Sequence, residues 1–204
     1  HKRALCDEDM KKVFTRLPSS SAIPLAVRRA QDMFVLMFLL RGLPFVDLAY
    51  LRKSDLRDNV ITYRRRKTGR PLSVTLTPEA LELLKKYMNR DSHSPYLFSL
   101  LKSGEGTKEA YREYQLALRS FNQQLTLLGE VLGLNDKLSS YTARHTWATT
   151  AYYCEIHPGI ISEAMGHSSI KVTETYLKPF RNKKIDEANN QIIDFVKHSI
   201  AGVV

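Results

Sequence analysis

The sequence predicts a mainly α-helical α+β fold that carries one small, basic, antiparallel β-sheet. Three observations predict it. Tyr111, Tyr114, Leu118, Phe121, Leu125, Leu128 and Leu132 recur at alternating threes and fours, the spacing of one helix face. Residues 52–76 alternate and turn repeatedly, as strands of a hairpin do. Residues Pro24 to Leu40 become apolar on all sides after Asp32, which marks a helix buried in a core. With 204 residues and 43% apolar content the chain can bury one sizeable core, so one domain over residues 1–204 is expected.

The elements follow in chain order. Gly42 with Pro44 breaks the first helix, and Leu43 to Leu51 reads as a short second one. DLRDN is a turn, VITYRRR a strand, KTGR a second turn and LSVTL a second strand, giving a sheet of two or three strands. Thr77, Pro78 and Glu79 open a helix with Leu81, Leu84 and Met88 on one face. Ser92 to Thr107, with Pro95, Gly104 and Gly106, is a connecting loop before the long helix of Tyr111 to Leu132. Gly166 ends a further helix, and Ser168 or Ser169 caps the next, which carries Tyr176. Beyond it, Ile185, Ala188, Ile192, Phe195, Val196 and Ile200 form an amphipathic stripe, so residues 185–204 are expected to be a tail helix.

Composition narrows the function. Thirty-one basic residues against 21 acidic ones leave a formal charge of +10, which suits a polyanionic partner such as double-stranded DNA. Between Arg52 and Arg70 stand eight basic and two acidic residues, so this segment carries six of the net ten charges. Arg64, Arg65, Arg66 and Arg70 are its candidate DNA contacts; the plainer account is a solvated hairpin face. The longest apolar run, MFVLMFLL, is far short of the roughly 20 residues that span a bilayer, and no signal peptide opens the chain. No membrane association and a cytoplasmic, nucleoid-associated location are expected. Cys6 and Cys154 are too few and too isolated for a disulfide scaffold or a zinc site and read as buried or incidental thiols.

The chemistry-bearing residues lie in SSYTARHTWATT and GHSSIKVTETY, which present Arg144, then His167, then Tyr176 nine positions on. A phenol with a pKa of about 10 needs a base or a cationic neighbourhood to become a nucleophile at neutral pH. Arg144 offers a planar fork that matches two phosphate oxygens and steadies the more negative transition state. His167 can share that task or move a proton. The sequence lacks a Walker loop, a zinc-ligand set and clustered carboxylates for two-metal chemistry, so neither a cofactor nor a metal is expected. A rival reading takes HPGIISEAMGHSSIKVTETYL as helix, turn, helix of a non-catalytic DNA-binding regulator, with Tyr176 a phosphate contact or a core residue. A metal-dependent nuclease or a relative of type IB topoisomerases is a third.

ARHTWATT followed by MGHSSIKVTETY resembles the second and third active-site boxes of the tyrosine recombinases, or phage integrases. Over nearly the whole chain the likeness is greatest to integrases of mobile elements in the Bacteroides group. The resemblance implies the catalytic domain alone, without the N-terminal core-binding domain that closes a clamp around DNA, and hence a truncated piece of a longer protein. It implies site-specific recombination without cofactors, through a 3′-phosphotyrosine formed by Tyr176, with Arg144 and His167 in the site and Lys67 of RRKTGR protonating the leaving 5′ oxygen. It implies also a homotetramer on DNA, coupled by the tail helix docking on a neighbouring copy; the same helix could equally fold back on its own core, and the isolated domain is expected to be a monomer.

Two positions depart from the family pattern. Tyr141 stands three before Arg144, where a histidine is usual. In GLPFVD, Pro44 occupies the place of the first-box arginine, with Asp47 as the matching acid that can orient the cation. Arg41, three residues earlier, is the expected substitute; its plainer role is to cap the preceding helix. His145 beside Arg144 is expected to pack, or to support the site from behind.

Overall fold

A computed structural model describes residues 4–18, 22–176 and 181–201, with the side chains of residues 200 and 201 outside the description. The helices are α1 (Asp7–Phe14), α2 (Leu25–Leu39), α3 (Phe45–Tyr50), α4 (Pro78–Tyr87), α5 (Lys108–Leu132), α6 (Thr142–Tyr153), α7 (Pro158–Ala164), α8 (Ile170–Glu174) and α9 (Asn182–Ala201). Strands β1 (Leu56–Arg57), β2 (Val60–Arg64) and β3 (Pro71–Thr75) form one antiparallel sheet in that order. The expected fold class is the observed one.

The apolar second half of α2 is the centre of the core. Phe34, Leu36 and Met37 are fully buried, and α2 packs against α4, α5 and α6. At its end Arg41 and Gly42 both take left-handed backbone (φ 61° and 68°), and the Leu43 amide closes back on the Met37 carbonyl. Pro44 then caps α3, whose Phe45 stacks on Phe121 of α5 at 4.7 Å. On α5 the core face is Phe121, Leu125 and Leu128; Tyr111, at the outer end of the predicted stripe, is 59% exposed. The face of α4 shifts likewise to Ala80, Leu83 and Leu84, because the helix ends before Met88.

The sheet positions the site. Asp58 and Asn59, both at positive φ, make the two-residue turn between β1 and β2. Ile61 pairs with Val74 and Tyr63 with Leu72, so one face of β2 lies on the core while Thr62 and Arg64 point outward. The loop before α5 is more ordered than its composition suggested, with Tyr96, Leu97, Phe98 and Leu101 buried and bridges pairing Arg52 with Tyr96 and Met88 with Phe98.

Helix α1 was not expected. Its buried Asp9 accepts from the Asn135 and Asp136 amides at 3.0 Å, tying the segment to the loop after α5. The cysteines are free and exposed, so of the two readings burial fails and incidental thiols stand. Tail helix α9 begins three residues before the expected start, and its stripe faces outward: Ile185, Ile192 and Phe195 are 55%, 64% and 75% exposed. Among the described residues no helix is long and apolar enough to cross a membrane.

Candidate active site

Arg144 lies in the first turn of α6 and is 2% exposed. Its Nη1 donates to the Gly42 carbonyl (2.9 Å) and its Nη2 to the Met165 carbonyl (2.7 Å), while Nε has no partner among the described residues. Gly42 is required twice over: its φ is positive, and a Cβ there would stand 2.9 Å from the Arg144 Cα. The guanidinium is thereby fixed between the end of α2 and the end of α7. Burial and the neighbouring Arg65 charge push its pKa below the usual arginine value, yet among the described residues its hydrogen-bond partners are two carbonyls and the Tyr176 phenol, none of them an anion at rest. An anion would supply the missing counter-charge.

Met165, Gly166 and His167 form the turn after α7. Gly166 has φ 63°, and a Cβ on it would meet Leu72 Cδ1 at 2.9 Å. Its carbonyl accepts from Arg65 Nη1 (2.8 Å) and from Thr68 Oγ1 (3.1 Å), which docks the β2–β3 hairpin tip on this turn. His167 is buried; Nδ1 shares a 2.8 Å hydrogen bond with Thr173 Oγ1, and Nε2 is without a partner among the described residues. Burial, then the charges of Arg144, Arg65 and Lys67, lower the His167 pKa to about 4, so the ring is neutral at pH 7.

That shift predicts a pH effect on stability. Folded His167 stays neutral down to about 4, whereas an unfolded histidine takes up its proton near 6.5. In this window the unfolded chain binds more protons, so stability falls as pH falls. The loss should reach about 3 kcal/mol. His167→Gln should flatten that part of a urea-unfolding series against pH; an unchanged slope would assign the acid sensitivity to other groups.

Tyr176 follows the short helix α8 and is half-buried. Its ring lies parallel to His167, 5.7 Å between centroids, and 4.6 Å from His145, which in turn lies 5.0 Å from Tyr141. The sequence placed His145 and Tyr141 beside the site; the structure makes them part of one aromatic column with the phenol. Burial first, then Tyr141, raise the Tyr176 pKa above its usual value, against the pull of the Arg144 charge. The resting phenol is therefore protonated, and its ionisation needs a proton acceptor or a further change in the local field.

The remaining predicted residues divide. Lys67 is exposed at the hairpin tip, and its charge reaches His167. Arg64 and Arg70 are exposed on the hairpin. Arg66 stacks on the Tyr50 ring at 3.8 Å and pairs with Glu105 at 2.5 Å. Arg65 does not belong with these surface contacts: it is 6% exposed and turned into the site. Period-two alternation carries the reason, since Ile61, Tyr63 and Arg65 share one face and that face is inward. Arg41 is half-exposed at the end of α2, and its charge acts on Tyr63. Asp47 is buried; Oδ1 accepts from the Arg66 amide (2.9 Å), Oδ2 has no partner among the described residues, and burial raises its pKa against the pull of the Arg66 amide, Arg65 and Arg144. Thr173 and the carbonyls of Gly42, Met165 and Gly166 were missed. The two glycines were read only as breaks, and a carbonyl that accepts through space leaves no mark in sequence.

Residues 9–183 match the sequence profile of the phage integrase family. Among characterised proteins, the chain is 26% identical over 180 residues to the tyrosine recombinase XerA of Pyrococcus furiosus, covering 86% of this chain and 57% of that protein. It is 28% identical over 134 residues to XerC of Haemophilus ducreyi, covering 63% and 42%. The chain thus spans about half the length of these relatives. Among solved structures, the Tn1549 transposon integrase in complex with transposon right end DNA superposes with a TM-score of 0.67 at 14% identity, over 95% of this chain and 67% of that one. XerA recombinase gives 0.58 at 19% identity, over 92% and 64%.

Proposed function

Because the chain belongs to the phage integrase family, we propose that it cuts and rejoins DNA strands site-specifically through a covalent tyrosyl intermediate. The observation that carries this reading is the Tyr176 phenol stacked on His167 within the field of a buried, carbonyl-held Arg144. The Tyr176 oxygen attacks the scissile phosphorus; the new O–P bond forms as the bond to the 5′ oxygen breaks, leaving a 3′-phosphotyrosine and a 5′-hydroxyl. Neutral His167 is a proton acceptor within the aromatic column, and Lys67 donates to the leaving oxygen. A phosphodiester arriving among Arg144, Arg65 and Lys67 offsets the cationic part of the His167 depression and makes the ring a better base. Arg41 adjoins the Gly42 carbonyl that holds Arg144 and flanks the same place. The phosphotyrosine keeps the energy of the bond that broke, so a 5′-hydroxyl from another strand rejoins it with no energy source.

Arg64, Arg66 and Arg70 track the DNA backbone, and the exposed stripe of α9 fits docking on a second copy in a tetramer on DNA. The setting proposed for this activity is a mobile element, and that part of the reading rests on the sequence resemblance alone. The regulator reading loses its recognition helix: α8 has five residues, about 7.5 Å of helix. The test is a pool of nicked duplexes with randomised central bases, incubated with the chain in EDTA. A detergent-stable protein–DNA adduct is expected; binding without any adduct would favour the regulator.

A further inference from the structure

Two guanidinium groups, not one, hang from the turn before His167. Arg144 donates to the carbonyl of Met165 at 2.7 Å, and Arg65 donates to the carbonyl of the next residue, Gly166, at 2.8 Å. In both, Nε is buried without a partner among the described residues. Among the described residues neither makes an ion pair. The nearby carboxylate, Asp47, spends Oδ1 on the Arg66 amide. Holding like charges together in a buried place is costly unless something anionic joins them.

We propose that Arg65 is a catalytic residue, which with Arg144 grips the nonbridging oxygens of the scissile phosphodiester and supplies the guanidinium that Pro44 cannot. The proposal deepens the reading of Tyr176 as the DNA nucleophile and depends on it. It moves the missing cation from Arg41 to Arg65 for three reasons. Arg65 is buried beside Arg144, whereas Arg41 is half-exposed. It is rigidly mounted: its amide donates to the Arg70 carbonyl (2.8 Å) and its own carbonyl accepts from Gly69 (2.7 Å), closing the hairpin tip. Its charge acts on Arg144, His167 and Asp47 together.

The test uses the full chain and the DNA sequence recovered from the captured pool, resynthesised with either a phosphodiester or a neutral methylphosphonate at the scissile position. Arg65→Ala is expected to slow single-turnover cleavage of the phosphodiester roughly 100-fold but of the methylphosphonate less than about threefold, since that linkage has no anionic oxygen to hold. Equal losses on both would overturn the proposal and leave Arg65 a brace of the hairpin. Arg65→Lys keeps the charge and much of the buried stem, so it guards against misfolding; it should still lose about tenfold on the phosphodiester for want of the planar fork. Cleavage by Arg65→Lys at the parent rate, or a larger loss from Arg41→Ala than from Arg65→Ala, would also overturn it. An adduct that depends on Tyr176 but not on Arg65 refutes this proposal alone. If the parent chain captures nothing, or Tyr176→Phe still captures DNA, the tyrosine reading falls and this one with it.

Discussion

Tyr176→Phe is expected to abolish the covalent protein–DNA adduct while leaving DNA affinity and thermal stability close to those of the parent chain. The two effects separate because the ring and the hydroxyl do different work. The ring fills the space between His145 and His167 and packs on the cluster of Ala148, Ala151, Tyr152, Ile161 and Met165. Phenylalanine keeps all of that. Loss of the half-buried hydroxyl, with its hydrogen bonds to Tyr141 and Arg144, should cost about 1 kcal/mol. The adduct needs the oxygen itself, so no residual rate is expected. A gel of denatured reaction mixtures reads the first effect and a melting curve the second; a variant that melted far lower would make loss of adduct uninformative, and Tyr176→Trp offers no remedy because it would overfill the column.

Arg144 carries the next largest effect. Arg144→Ala removes the charge and also leaves the Gly42 and Met165 carbonyls without their donors, at about 1 to 3 kcal/mol for each buried group that stays unpaired. Its cleavage rate should fall by roughly 1000-fold, measured at saturating DNA in single turnover. Arg144→Lys separates the two consequences. It retains a buried cation but cannot reach both carbonyls and present a fork to phosphate. Cleavage should stay at least about 100-fold down, and if it instead matched the parent rate the clamp would need only charge, not geometry.

Much of this was legible in the amino-acid order, and what was not has physical causes. Helices α2 and α5 announced themselves because apolar periodicity is a direct image of burial, and the hairpin because Gly69 and the alternating strands are local signals. Helix α1 left a weak signal: it is held by Asp9 reaching across to Asn135 and Asp136, a contact between residues more than 120 positions apart. The order of Arg144, His167 and Tyr176 pointed to one site, and the structure brings them together. Arg65 was misread as surface because its charge outweighed its register; counted from Ile61 it falls on the inward face. Tyr141 and His145 were placed near the site but not in a column, since that depends on the angle at which Tyr176 returns after α8. The clamp on Arg144 could not be read at all, because two of its three components are backbone carbonyls.

In the proposed reaction the Tyr176 oxygen becomes the link between protein and DNA. Tandem mass spectrometry of the adduct, after digestion of both the protein and the DNA, tests it most directly. A nucleotide attached through its 3′ phosphate to Tyr176, in the peptide following Lys171, is expected. A nucleotide on any other side chain, or a 5′-linked one on Tyr176, would contradict it.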